Sequence, residues 1–162
     1  LTTLYLQRVL GLSPLVTGLV FGVPGLASVA AGVLAGRAIG RFGSRVLLVA
    51  GLVVQALATL PLVFLGPDRT ALLILIPALF IGFFGHVSAI VAFTVTATSG
   101  LPDEEQGLAT GLTSMTQQVG ITVGIPLLSA VAVLGGTPLA LGVAVVVTLA
   151  STVLITVKLK EP

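Results

Sequence analysis

The sequence predicts an all-α fold: a polytopic membrane helix bundle of about five transmembrane helices, forming a single domain over residues 1–162. Three observations carry that expectation. Hydrophobic residues make up 56% of the chain and charged residues 7%, with a mean hydropathy of +1.24, whereas soluble domains carry about 25% charged residues. A water-soluble globule of this size would need a polar surface that these side chains do not supply. The second observation is the length of the charge-free runs. Arg8 and Arg37 bracket 28 residues, Arg45 and Asp68 bracket 22, Arg69 and Asp103 bracket 33, and Glu105 and Lys158 bracket 52. A helix needs about 20 residues to cross a hydrocarbon core ~30 Å thick. The first three runs therefore hold one span each and the last holds two. The third observation is that residues suited to helix ends stand where these runs begin.

The first span is expected at 15–35, started by Ser13-Pro14, which places a capping hydroxyl before a proline at the first helical position. The second, 46–65, follows a short basic stretch. The third, 70–97, has Thr70 as its cap. The fourth, 107–134, follows Pro102, with Asp103, Glu104 and Glu105 at the positive end of its helix dipole. The fifth, 139–157, follows the break Gly135-Gly136-Thr137-Pro138 and has Thr137 as its cap. In lipid every backbone group must be satisfied internally, so each span reads as helix. The Leu/Val/Ala/Gly-rich runs lack the alternation of a membrane β-barrel. Pro24, Pro61, Pro77 and Pro126 are the expected kinks.

Five spans place residues 37–45, 98–105 and the tail from Lys158 on one side, and residues 6–13, 66–69 and 135–138 on the other. The first side holds Arg37, Arg41, Arg45, Lys158 and Lys160; the second holds Arg8 and Arg69. The positive-inside rule then predicts a cytoplasmic C-terminus. The net charge of +2 reflects these topology signals and implies no nucleic-acid partner. With no cysteine, disulfides and thiolate metal sites are excluded. No metal-ligand spacing, Ser/His/Asp grouping or phosphate-cradling loop is present, so neither a cofactor nor an enzymatic activity is expected. Leu1 opens an apolar stub too short to cross, and the single methionine, Met115, lies within a span. The chain is therefore expected to be a fragment, not a product read from its start codon.

Two stretches carry a family resemblance. Residues 3–19, TLYLQRVLGLSPLVTGL, and residues 97–124, ATSGLPDEEQGLATGLTSMTQQVGITVG, resemble segments of the drug:proton antiporters of the major facilitator superfamily, fourteen-helix branch. The first is similar to the opening of the C-terminal half. The second is similar to the passage from a cytoplasmic loop into the penultimate helix. Between them, Gly36, Gly40, Arg41, Gly43 and Arg45 resemble the superfamily's cytoplasmic loop motif. Gly40 stands where that motif usually has Asp. Glycines in such a loop let the chain turn sharply, and arginines meet lipid phosphates, helix ends or a partner acid. The alternative is a basic loop that sets topology and nothing more. The turn at 135–138 is shorter than in many relatives.

The resemblance implies a major-facilitator-type C-terminal half. Spans 15–35, 70–97 and 107–134 would lie at the cavity or the interface between halves, and 46–65 and 139–157 against lipid. The glycines divide along similar lines. Gly18, Gly22, Gly25, Gly32 and Gly36 fall in or beside the first span and Gly107, Gly111, Gly120 and Gly124 in the fourth, at spacings that favour close helix approach. Spans 46–65 and 139–157 hold one each, Gly51 and Gly142.

Polar residues within the spans are the candidate pathway. Gly111, Ser114, Gln118 and Thr122 form one stripe, and Thr110, Thr113, Gln117 and Gly120 its neighbour. A polar arc of this width is expected to face other helices or water. Gln117 and Gln118 are read either as pathway or gate residues or as interhelical hydrogen-bonding groups. His86 is the only titratable side chain placed within the bilayer. Two roles stand for it: a proton relay or substrate contact, or a neutral ring donating one hydrogen bond to a neighbouring helix. No carboxylate lies in any span, so a coupling acid, if protons drive transport, belongs to the N-terminal half.

The function implied is efflux of drugs or other lipophilic compounds, by proton antiport with alternating access of two bundles about a midplane site. The partners implied are membrane lipids, the missing N-terminal half, a small lipophilic substrate and protons, in the cell membrane. A major-facilitator uptake carrier and a non-transporting membrane scaffold subunit are the alternatives.

Overall fold

The computed structural model describes Thr3, residues 5–64 and residues 71–158. Of the expectations above, the Thr70 cap, Asp68, Arg69 and Lys160 lie outside the described residues. Among those described there is no strand, and four helical segments are long and apolar enough to cross a membrane. A short π-helical turn, Tyr5–Val9, precedes them.

Helix α1, Pro14–Phe42, begins as its sequence requires. Ser13 is extended (φ −64°, ψ 155°), and its Oγ accepts a hydrogen bond from the Val16 N–H at 3.3 Å. The helix runs through the expected loop motif, so Gly36, Gly40 and Arg41 are helical and the turn narrows to Gly43. This corrects the expected loop over 37–45. One residue in a conformation reserved for glycine is enough to reverse the chain. Gly43 takes φ 85° and ψ 156° and donates its N–H to the Ile39 carbonyl at 2.9 Å. A side chain there would be strained by backbone geometry alone.

Helix α2, Ser44–Thr59, passes into a 3-10 turn, Leu60–Phe64. Pro61 stands in that turn. Having no N–H, it cannot continue the α-helical ladder. Helix α3, Ala71–Thr98, ends at the Ser99-Gly100 turn. The last segment, Asp103–Lys158, is 56 residues long, which at 1.5 Å per residue is about 84 Å, far longer than one crossing. Gly135 (φ −137°, ψ 16°) and Gly136 (φ 79°, ψ 173°) interrupt it, dividing it into α4 (103–134) and α5 (137–158). Asp103, Glu104 and Glu105 occupy the first turn of α4, where the backbone N–H groups of Glu105 and Gln106 reach the Pro102 carbonyl.

Packing is centred on α3, which lies against α1 on one side and α2 on the other. At one end Leu6 and Leu10 are buried with Val20 of α1 and with Leu75 and Leu79 of α3. At the other end Leu48 of α2 meets Ala89 and Ala92 of α3, with Ile155 of α5 against them. Residues 103–134 bury only Thr113, while α5 buries Ala140, Val145 and Thr152. Leucine, valine and isoleucine side chains stand exposed along all of the long helices. So large an apolar exterior suits lipid and not water.

Small residues do pack helices together here, but not the ones the glycine count favoured. The buried stripe of α1 is Thr17, Val20, Pro24, Ala27, Ala31 and Ala35. Gly18, Gly25, Gly32 and Gly36 each follow a member of it, about 100° further round the helix, and nothing among the described residues stands within 4 Å of a Cβ built on them. The same is true of Gly107, Gly111, Gly120 and Gly124 of α4. The close approach is between α2 and α3. A Cβ on Gly51 would lie 2.6 Å from the Gly85 carbonyl oxygen, and one on Gly85 would lie 2.7 Å from that of Gly51.

Candidate functional site

The Gly51–Gly85 crossing brings two polar side chains together in the middle of the bundle. One turn along α2 from Gly51 is Gln55, and beside Gly85 on α3 is His86. The Nδ1 of His86 and the Oε1 of Gln55 are 3.2 Å apart. An amide oxygen only accepts, so Nδ1 carries the hydrogen and donates it. The ring of Phe83 stands edge-on to the imidazole, centroids 6.3 Å apart. His86 remains exposed in this chain and Gln55 half-buried. A second side-chain bond joins the same helices nearer the turn at Gly43: Thr96 Oγ1 donates to Ser44 Oγ at 2.9 Å. The two bonds are about 16 Å apart along α2 and fix the register of the antiparallel pair.

Sequence reading singled out His86 and missed Gln55. A signal was present: apart from Thr59, Gln55 is the only polar side chain in the span between Arg45 and Asp68. An amide at that depth is costly in lipid unless another helix satisfies it. The bond matches the interhelical role open to His86. Among the described residues the ring's hydrogen bond runs to Gln55 and its aromatic contact to Phe83, so neither joins His86 to the other candidates.

Those candidates share α4. Ser114, Gln118 and Thr122 are exposed on one stripe, with Gln117 half-buried on the next. Four hydroxyls in this stretch of α4, those of Thr110, Thr113, Ser114 and Thr116, are satisfied within the helix. Thr110 donates to the Gln106 carbonyl at 2.8 Å, Ser114 to that of Thr110 at 2.9 Å and Thr116 to that of Leu112 at 2.9 Å. Such back-bonding lets a hydroxyl sit in an apolar setting at little cost. The amides differ: neither Gln117 nor Gln118 makes a side-chain hydrogen bond among the described residues. The chemically demanding part of the arc is this pair of amides.

The loop-motif residues gather at one end of the bundle. Arg41 is exposed, its guanidinium 5.3 Å from the centre of the Phe42 ring. Arg45 is exposed at the second position of α2. The end of α3, the acidic start of α4 and the end of α5, with Lys158, lie at this same end. Among the described residues no group of three or more His, Asp or Glu side chains can hold a metal ion.

Comparison with known proteins adds a family to this geometry. The chain is 36% identical over 132 residues to the multidrug resistance protein Stp of Mycobacterium tuberculosis, in two strains, covering 81% of this chain and 24% of that protein. It is 33% identical over 132 residues to the puromycin resistance protein pur8 of Streptomyces alboniger, covering 80% of this chain and 26% of that one. The chain thus spans about a quarter of the length of the curated relatives it matches. No solved structure gives a significant match. All of residues 1–162 match the family described as Major Facilitator Superfamily. A multi-pass helical chain with this apolar exterior and these close relatives belongs to the Major Facilitator Superfamily of membrane transporters.

Proposed function

We propose that this chain is the C-terminal half of a drug-exporting transporter, working with an N-terminal half of the same protein by alternating access and proton antiport. The observation that carries this is the exposed polar and glycine face of α4. Gln118 and Ser114 share it with Gly111, and nothing among the described residues lies within 4 Å of a Cβ on that glycine. Primary amides left against hydrocarbon are costly. Facing a second bundle across a watered cavity, they become hydrogen-bonding groups for substrate or for the opposing helices. The glycine stripe of α1 is open in the same way and would admit a close helix from that bundle. The names of the relatives, a multidrug and a puromycin resistance protein, support lipophilic drugs as the cargo. In this reading His86 and Gln55 brace the scaffold that carries the pathway. In this reading the coupling acid lies outside this chain, because the acids among the described residues, Asp103, Glu104 and Glu105, stand in the first turn of α4. The Arg37–Arg45 end faces the cytoplasm of the cell that bears the protein, and so does the C-terminus.

The test is expression of the full-length protein in a drug-sensitive bacterium lacking its own efflux pumps, followed by puromycin susceptibility and energised efflux of a fluorescent cation. Resistance and efflux are expected, and both are expected to collapse with a protonophore. Gln118→Leu is expected to lower efflux about five- to ten-fold, the effect of losing one buried hydrogen bond worth roughly 1 to 1.5 kcal/mol. Wild-type efflux from both Gln117→Leu and Gln118→Leu would remove α4 from the pathway. Accumulation in place of export would mean an uptake carrier.

A further inference from the structure

We propose that His86 selects the cargo of this transporter half, its Nε2 accepting a hydrogen bond from an N–H group on an aromatic amine held against α3. This role rests on the export reading above and specifies what the cargo must carry. The Nδ1 of His86 donates to the Gln55 Oε1 at 3.2 Å, which fixes a hydrogen on that nitrogen. In the neutral ring the other nitrogen then keeps its lone pair and can only accept. Nε2 has no hydrogen-bond partner among the described residues, and His86 is exposed. The two ring nitrogens point in divergent directions. The bond that braces α2 against α3 therefore also aims a free acceptor away from Gln55.

The surroundings select the occupant. Phe83, His86 and Ile90 follow one another at three- and four-residue spacing, which places them on one face of α3, and all three are exposed. The helix spends its other faces on packing, Gly85 and Ala89 against α2 and Leu75 and Leu79 in the cluster with Val20 of α1. His86 lies fifteen residues past Ala71 and twelve before Thr98, the ends of α3, or about 22 and 18 Å along the axis. The acceptor is thus near mid-depth. Hydrocarbon offers it no donor, and an unsatisfied polar group in lipid is costly. A helix of a second bundle approaches closely through small residues, whereas this face carries a phenyl ring, an imidazole and an isoleucine. A flat aromatic amine fits both parts of the face. The Phe83 ring, edge-on to the imidazole with centroids 6.3 Å apart, offers a surface for stacking or for a cation. Nε2 supplies the placed polar contact that orients a ligand in an otherwise apolar site. That contact discriminates, because an N–H satisfies it and a quaternary nitrogen does not. The amides of Gln117 and Gln118 both donate and accept, so they cannot make the same distinction.

The experiment is dye binding to the full-length protein, purified in a neutral detergent and followed by fluorescence polarisation. The probes are acridine orange, whose protonated ring nitrogen carries an N–H, and its ring-N-methyl derivative, which has the same charge and no N–H there. Acridine orange is expected to bind about ten-fold more tightly, the effect of one hydrogen bond from a charged donor. Two substitutions separate recognition from bracing. His86→Asn keeps a donor near the position of Nδ1 but no acceptor at that of Nε2, and should abolish the preference. His86→Gln reaches the position of Nε2 with an amide oxygen that accepts, and should retain most of it. A residue that only braces α2 against α3 would show the reverse order, or no dependence on the probe. Equal affinity of the wild-type protein for the two dyes would overturn the proposal, as would binding of neither. An undiminished preference in His86→Asn would do the same. If His86→Asn does not fold, Gln55→Leu decides. With Nδ1–H no longer held, the ring can carry its hydrogen on Nε2, so the preference should fall, and an unchanged preference there overturns the role. Binding is read without transport, so drug efflux with equal dye binding rejects the role of His86 and leaves the export reading standing.

Discussion

At Gln55 and His86 two side chains, each costly in lipid, satisfy one another across a helix pair. The bond is short enough, at 3.2 Å, to be real and exposed enough to be weak. Interhelical hydrogen bonds in membranes average about 0.6 kcal/mol and reach roughly 1.7 kcal/mol. A double-mutant cycle on the full-length protein with Gln55→Leu and His86→Phe is therefore expected to give a coupling energy of about 0.6 to 1.7 kcal/mol, read from thermal melting in detergent. A coupling near zero would mean that the two side chains do not meet. The same pair shows what a sequence holds at this scale. That His86 and Gln55 each need a partner follows from their chemistry and depth. That they are each other's partner depends on a register between helices 31 residues apart in the chain, which no local pattern encodes.

At the scale of elements, the α2–α3 contact depends on two glycines at one crossing. A methyl group on Gly51 would stand 2.6 Å from a backbone oxygen, 2.9 Å from a backbone nitrogen and 3.0 Å from the Ala89 Cβ. None of these can rotate away, so the helices must separate. Gly51→Ala is expected to destabilise the protein by about 1 to 3 kcal/mol, the usual range for overpacking a tight contact. Gly142→Ala in α5, where nothing stands within 4 Å, is expected to be neutral or to stabilise by up to about 1 kcal/mol through helix propensity. Melting curves for the two variants check the contrast, and equal effects would sink it. Helix positions were legible because apolar run length and cap chemistry are local: Ser13 caps where its hydroxyl precedes Pro14, and Gly135-Gly136 break the last segment. The glycine that packs was not legible. Abundance pointed to the first and fourth spans, while the crossing uses the single glycine of the second span, since closeness is a property of two helices and not of one.

For the whole molecule, the charge asymmetry between its ends sets the expected orientation. The chain contains no cysteine, so single cysteines report sidedness without background from this region. In a full-length protein cleared of any other cysteines, Arg41→Cys should react with a membrane-impermeant maleimide only after permeabilisation. Thr137→Cys, at the glycine break, should react in intact cells. The reverse pattern would invert the topology. Labelling of both in intact cells would mean that the segment between them does not cross as proposed.

By itself the sequence determined that this chain is helical, that lipid is its solvent, that Ser13 starts the first long helix and Gly135-Gly136 break the last segment, and which of its ends is basic. Each of these follows from local composition, because a charge-free run of 20 or more residues has one stable answer in a bilayer. Only the tertiary structure decided that α3 is the central helix and that Gly51 and Gly85 set its distance from α2. It also decided that Gln55 answers His86, that the basic motif is helix up to Gly43, and that α4 gives Gln118 no hydrogen-bond partner among the described residues. These are long-range outcomes of packing, fixed by which surfaces fit at a few ångströms, and hydropathy carries no information at that distance.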